Sequence, residues 1–497
     1  MKTKLKKTYP EDLKSLLGFT LPVFTSAFSA VIFGLFMQFL TDYSGIDSAT
    51  GTVGFAARFG TIFMAVSRII DAVDDPFQAF VMDRAKETKF GKYRKFTILS
   101  VILVFVGIVI MFTIPYNVKS NKVLVYIWLF AGYIIYECGT AFFGIVPIMQ
   151  KATKDARVRT KLMTWYRMFA VIGAVPAMMF VPIATAMNVF FNDMGQAYSV
   201  TVMIVVGCST LISLIGTALL KEPCHADVNN TENEGKVHAR DVWELVKTNK
   251  PMWVHNIAYT IGQLAYGFSN AMAVYFLKWF YFADMSTGAV DNVGYAAVYG
   301  INSLLTLAIA FVCPILAGAI TRKIGAVDKA TRVLMLLAGC AYALTFICYL
   351  LGILHISPFI FVILNFLSLI ALNMATIPQL VLNVEVADYS EYKLGKNMTA
   401  LTTSVNKILE KTSGALSTMI QGVMLIAVGY SVDSVTGTFA GDLSVLPSMN
   451  FGFAMFVSLI PAILGIICWA IYKFFYPITP KLRAEMNQKL KEIHNEA

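Results

Sequence analysis

Residues 96–115, FTILSVILVFVGIVIMFTIP, run for twenty positions without a charged side chain. As a helix rising 1.5 Å per residue, such a stretch is about 30 Å long, the thickness of bilayer hydrocarbon. Arg94 and Lys95 precede it, and Lys119 follows. Working outward, similar apolar stretches begin near Leu16, Val53, Phe96, Val123, Leu162, Val200, Trp253, Ala296, Val333, Pro358, Thr399 and Phe451. These twelve predict an all-α membrane protein with 12 transmembrane helices. Composition agrees: the 497 residues are 57% hydrophobic and 14% charged, against roughly 25% charged in soluble domains.

The net charge of +10 would suggest nucleic acid in a soluble protein. Here its placement decides the reading. When alternate loops are assigned to opposite faces, one face collects 32 of the 40 Lys and Arg residues. The other holds Lys119 and Lys122, with Lys278 close to a helix end. By the positive-inside rule both termini are expected in the cytoplasm, with no nucleic-acid partner. Lys2, Lys4, Lys6 and Lys7 precede a long apolar span with no small-residue cleavage site, so the first helix is expected to be retained. The seven cysteines lie mostly in apolar runs, without a CxxC pair. They read as small packing residues, not a disulfide or zinc framework.

The long polar stretch from Lys221 to Lys250 separates six spans from six. The expected organisation is an N-terminal half at 1–220, a cytoplasmic central loop at 221–250, and a C-terminal half with its tail at 251–497. Pro76 followed seven residues later by Asp83-Arg84, and Pro314 followed by Thr321-Arg322, occupy equivalent places in the two halves. Two pseudo-symmetric six-helix halves suit a transporter that binds its solute between them, near the midplane.

Ionisable side chains in hydrocarbon cost at least ~2.5–3.5 kcal/mol each, so each requires a reason. The second span carries Arg68, Asp71, Asp74 and Asp75. Spacings of three and four place the three acids on one helical face. Asp71 lies about 18 Å inward from Asp83. Crowded carboxylates suit a hard cation such as Na⁺, or a retained proton. Arg68 and other basic residues could instead neutralise them structurally. Glu137 lies within the fourth span and Arg167 in the fifth. In the eleventh, Lys407, Glu410 and Lys411 stand at i, i+3 and i+4, leaving one spare positive charge. Asn365, Asn373, Gln379 and Asn383 on the tenth span can bind solute hydroxyls or link helices. No nucleophile elbow, metal-ligand spacing or Walker loop is present, so neither an enzyme nor an ATP-driven pump is expected.

The run Arg68-Ile-Ile-Asp71-Ala-Val-Asp74-Asp75-Pro76, with Asp83-Arg84 and Phe90-Gly91-Lys92-Tyr93-Arg94, closely resembles the glycoside–pentoside–hexuronide:cation symporters. That family is the melibiose-permease branch of the major facilitator superfamily. Asp155-Ala-Arg157-Val-Arg159 leading to Arg167, and Asp388-Tyr-Ser-Glu391-Tyr-Lys393 leading to Lys411, extend the resemblance over nearly the whole chain. It implies that Asp71 and Asp75 bind the coupling cation, with help from Asp74. It also aligns Arg167 and Lys411 with the family's helix-five arginine and helix-eleven lysine. Asp83, Arg84, Gly91 and Arg159 are the cytoplasmic positions expected to act in conformational change.

Other family positions differ. By ungapped matching, the sugar-binding aspartate of helix one falls on Ser26. The helix-four aspartate falls on Gly144 and its threonine partner on Ala141. Two tryptophans of the galactoside site fall on Ile148 and Thr376. Glu137 lies two turns outward of Gly144 and is the available acid on that helix. The expectation is a symporter that couples H⁺ or Na⁺ entry to uptake of a glycoside or related sugar, without a resident cofactor. Lys411, Lys407, Arg167, Glu137, Gln379 and Asn373 are its substrate or coupling residues, and Asp71 and Asp75 its metal ligands if Na⁺ is the ion. A lysolipid carrier of the same superfamily and a non-transporting membrane sensor are the alternatives. The plasma or inner membrane is the expected location.

Overall fold

The computed structural model describes residues 12–85, 91–152, 156–191, 193–222, 247–324, 326–394 and 399–493. The side chains of 68–69, 71–80, 83–84, 150–151, 156–157, 159–160, 314–315, 322, 394, 399–408, 410–411 and 491–493 are outside that description. Among the described residues there is no strand, only helices and turns with two isolated bridges.

In chain order the main helices are α1 (Leu13–Thr20), α2 (Val23–Gly34), α3 (Phe55–Arg84), α4 (Arg94–Phe112), α5 (Lys122–Ala141) and α6 (Ile145–Ala152). Then come α7 (Ala156–Met178), α8 (Phe180–Phe191), α9 (Met194–Leu219), α10 (Lys250–Phe276), α11 (Asn292–Ile324) and α12 (Val327–Leu350). The last are α13 (Pro358–Leu394), α14 (Thr399–Ala427), α15 (Leu446–Ala454), α16 (Ile460–Phe474) and α17 (Pro480–Ile493). Every expected span start falls on one of these helices or within two residues of it. Among the described residues, nine helical stretches are long and apolar enough to cross a bilayer.

Local chemistry sets many of the boundaries. The side chains of Asn121, Asp193 and Asn249 accept from the first free amides of α5, α9 and α10, as N-caps do. The first span breaks between α1 and α2 at Pro22, and the fifth between α7 and α8 beside Pro176 and Pro182. Proline lacks the amide that would continue each ladder.

The chain forms two compact units. The first comprises 1–229 together with 282–307 and 422–446. Within it, α4 and α5 touch backbone to backbone. A Cβ on Gly107 would lie 2.5 Å from the Tyr136 nitrogen, and one on Gly139 2.7 Å from that of Val104. Small residues permit this approach, which is how apolar helices gain contact where lipid offers no hydrophobic drive.

The second unit comprises 230–281, 308–421 and 447–497. Its core joins Ala258 of α10, Leu334 and Met335 of α12, Leu372 and Ala375 of α13, and Cys468 of α16. Its tail helix α17 is tied down by Arg483, which donates to Glu385 on α13 and to Asp328 on α12 (3.3 Å). The Glu385 hydrogen bond raises the Arg483 pKa above its ordinary value. Cys208, Cys313, Cys340, Cys348 and Cys468 form no disulfide among the described residues, and Cys224 lies outside them.

A repeat emerges only from the folded chain. Asp47–Gly51, Asp284–Gly288 and Asp433–Gly437 share the pattern Asp-x-x-Thr-Gly. In each, the glycine has a φ of +62° to +71° and donates its amide to the aspartate carbonyl four residues back. Only glycine adopts that backbone freely. All three turns lie in the first unit, opposite the basic loops. The first two are each preceded by a π-helical turn, Phe39–Tyr43 and Leu277–Tyr281. They are followed by Gly54-Phe-Ala-Ala-Arg-Phe-Gly60 and Gly294-Tyr-Ala-Ala-Val-Tyr-Gly300, matching segments at the start of the two sequence halves. Five residues are too short a pattern to stand out in 497. The shared turn is what marks it.

Candidate functional site

Helix α3 runs unbroken from Phe55 to Arg84, through Pro76. Its acids Asp71, Asp74 and Asp75, together with Arg68, Asp83 and Arg84, have side chains outside the described set. The same holds for Arg159 on α7 and for Lys407, Glu410 and Lys411 on α14. Continuous helix keeps the three acids at i, i+3 and i+4. Among the described residues, no group of three His, Cys, Asp or Glu could hold a metal ion.

Helix α5 supplies the described part of the neighbourhood. The Tyr133 hydroxyl donates to the Ser67 carbonyl across 3.0 Å. Phe33 of α2 stacks on Tyr136 with ring centroids 5.4 Å apart. Glu137 is 8% exposed and lies one turn beyond Tyr133. Helices α3 and α5 pack together and, two spans apart, run in the same direction. The step from Tyr133 to Glu137 equals that from Ser67 to Asp71, about 6 Å along either axis. Glu137 therefore lies alongside the acidic stretch of α3.

Gly144, the position matched to the family's helix-four acid, lies in the break between α5 and α6. A Cβ there would meet the Tyr93 Cβ at 3.1 Å and the Tyr93 carbonyl at 3.2 Å. An aspartate would have to displace that tyrosine. Ile148 is fully buried with Phe19, Ile145 and Leu220. Ser26 turns its hydroxyl back to the Val23 carbonyl of its own helix (3.0 Å).

Arg167 is exposed on α7. On α13, Asn373 donates its amide to the Leu369 carbonyl one turn back (2.9 Å). Gln379 is 2% exposed, and its Nε2 has no hydrogen-bond partner among the described residues. That atom lies 3.7 Å from where a Gly262 Cβ would be.

Gly91 is the described member of the motif expected to act in conformational change, and its role is geometric. Its φ is +93°, and a Cβ would strike the Glu222 carboxylate. Glu222 accepts from the Tyr93 and Arg94 amides at 2.8 and 2.9 Å, capping α4. In return, Arg94 donates to the Thr217 and Ala218 carbonyls at the end of α9 (3.0 and 3.1 Å). Sequence reasoning missed Glu222 because it sits in a polar stretch 129 residues from its amides. Asp42 also went unnoticed. It is 1% exposed at the end of an apolar run, and Thr41 and Tyr430 hydroxyls both donate to it at 2.8 Å. The dipeptide Thr41-Asp42, set between apolar residues, was the available signal.

Comparison with known proteins agrees with this architecture. A family model described as MFS/sugar transport protein matches residues 17–480. The chain is 25% identical over 461 residues to the uncharacterised symporter YjmB of Bacillus subtilis (strain 168), covering 92% of this chain and 90% of the relative. It is 24% identical over 453 residues to a lactose permease of Lactobacillus delbrueckii subsp. bulgaricus, covering 87% of this chain and 65% of the permease. An isoprimeverose transporter of Lactiplantibacillus pentosus is 23% identical over 476 residues, with coverage of 91% and 86%. In fold, the chain is similar to a bacterial homologue of the human lysosomal transporter Spinster, with a TM-score of 0.59 at 15% identity and coverage of 95% and 97%. The nucleoside transporter NupG gives 0.53 at 15% identity, with coverage of 92% and 99%. A family match running almost from end to end, on an all-helical chain with multiple bilayer-length spans, places this protein in the MFS/sugar transport protein family, in its melibiose-permease-like branch, as a multi-pass membrane transporter and not an enzyme.

Proposed function

We propose that the chain is a secondary active symporter that takes up a glycoside or related sugar by alternating access, driven by cation entry. Asp71 and Asp75, aided by Asp74, receive the cation. Arg167, Lys411, Lys407, Glu137, Gln379 and Asn373 bind solute or couple it to the ion. Both termini face the cytoplasm, and the protein resides in the plasma or inner membrane. The observation that carries this reading is the acidic run of α3 with Glu137 brought level with it, in a family of sugar transporters. Relatives named for lactose, raffinose and isoprimeverose make glycosides the first solutes to try.

H⁺ is the favoured ion. Gly144 and Ala141 offer no side-chain oxygen where the family has two, and a sparse ligand set selects Na⁺ poorly. Crowded carboxylates retain a proton more readily. Purified protein in proteoliposomes, given a panel of glycosides and uronides under an imposed pH or Na⁺ gradient, tests the reading. Gradient-dependent accumulation of at least one sugar is expected. Failure of the whole panel, with uptake of a lysolipid instead, would overturn the sugar assignment.

A further inference from the structure

In the first unit, at the start of α3, side chains drawn from opposite ends of the sequence meet. Three hydrogen bonds join the first helical hairpin to later segments. Gln38 donates to the Tyr295 hydroxyl (3.1 Å), Tyr430 to the Asp42 carboxylate (2.8 Å), and Ser431 to the Asp47 carboxylate (2.8 Å). None of these six residues is more than 9% exposed. Around them sit the Asp-x-x-Thr-Gly turns. Asp47 begins the first, and its carboxylate also accepts from the Gly54 and Ala56 amides at the start of α3 (2.8 and 2.6 Å). The second and third are joined by the Phe439 amide donating to the Gly288 carbonyl (2.9 Å). A Cβ on Gly45 would lie 2.8 Å from the Ser434 hydroxyl of the third turn.

The two kinds of contact differ in what they hold. Each turn is closed internally by its own glycine and aspartate, so it keeps its shape when it moves. The contacts of Asp42 and Asp47 with Tyr430 and Ser431 are single side-chain hydrogen bonds between such bodies, 388 and 384 residues apart in sequence. Any opening at this end must break them. Each carboxylate then keeps its local donors, the Thr41 hydroxyl for Asp42 and the Gly54 and Ala56 amides for Asp47, and water must replace the withdrawn hydroxyl.

We propose that Asp42 and Asp47 are the acceptors of a latch closing the outer end of the transport path, with Tyr430 and Ser431 as the donors withdrawn on opening. The inference rests on the transporter reading, and its test needs no substrate. Ser303 on α11 is 7% exposed and lies two turns, about 12 Å, beyond Tyr295 on the same helical face. Ser303→Cys in a background with all seven native cysteines replaced reports entry past the latch. Ser213→Cys, fully buried beside Thr25, reports general loosening.

An impermeant maleimide is applied to the outer face of sealed vesicles. Tyr430→Phe and Ser431→Ala each remove the donor that reaches an aspartate from the far end of the sequence and leave its local donors in place. Each is expected to raise labelling at position 303 about fivefold, with position 213 unlabelled. Tyr430→Phe keeps the ring and serves if Ser431→Ala fails to insert. Unchanged labelling at 303, or an equal rise at both positions, overturns the latch. If labelling responds while no sugar is carried, the latch stands and the sugar assignment fails.

Discussion

The Tyr133 hydroxyl holds the Ser67 carbonyl at 3.0 Å, and that bond fixes the register of α5 against α3. Glu137 then falls alongside the acidic stretch of α3. Gly144, the position matched to the family's helix-four acid, lies outside α5 in a turn against Tyr93. Neutralising Glu137 should therefore impair coupling as if the missing family acid had been removed. Glu137→Gln is expected to lower gradient-driven accumulation at least tenfold while membrane insertion stays normal. Accumulation at the parental level would leave Glu137 a structural acid.

Asp75→Asn removes a proposed ligand or protonation site from the acidic face of α3. Accumulation against a gradient should be abolished, while equilibrative exchange of preloaded sugar survives. Counterflow and net uptake in the same vesicles separate the two. Steep accumulation by the variant would show that coupling resides elsewhere.

Ion choice can be read directly. With H⁺ as the coupling ion, an imposed pH gradient should drive uptake without Na⁺, and solute addition should alkalinise a weakly buffered exterior. Strict Na⁺ dependence without proton movement would reverse the assignment.

In the proposed function, Lys411 carries the spare positive charge that the sequence of the α14 trio leaves over. Lys411→Ala should abolish transport with normal insertion. Unchanged transport would make it a structural counter-charge.

Gly91→Ala tests the cytoplasmic turn. The left-handed φ costs an alanine about 1–2 kcal/mol. Displacing the Glu222 carboxylate from the α4 amides costs about 1 kcal/mol more. Thermal unfolding in detergent should shift downward by several degrees. Glu222→Gln keeps an acceptor and should shift less; an equal shift would mean that capping is not the cause.

Sequence by itself determined the class and the architecture. Twenty uncharged residues can be satisfied in lipid only as helix, so stretches such as 96–115 specify helices wherever they occur. Lys and Arg bias gives the expected order of their ends, and the run from Arg68 to Pro76 names the family because few other demands place three acids in hydrocarbon. What only tertiary structure decided depends on partners distant along the chain. Glu137 acquires its level from a tyrosine bonding a neighbouring helix. Glu222 caps amides that sequence separates from it by a whole bundle of spans. Asp42 and Asp47 become a latch only when Tyr430 and Ser431 return to them. Local pattern specifies helices because their hydrogen bonds close within four residues. The polar contacts that hold the closed end together join residues hundreds of positions apart, and no short window of sequence contains both partners.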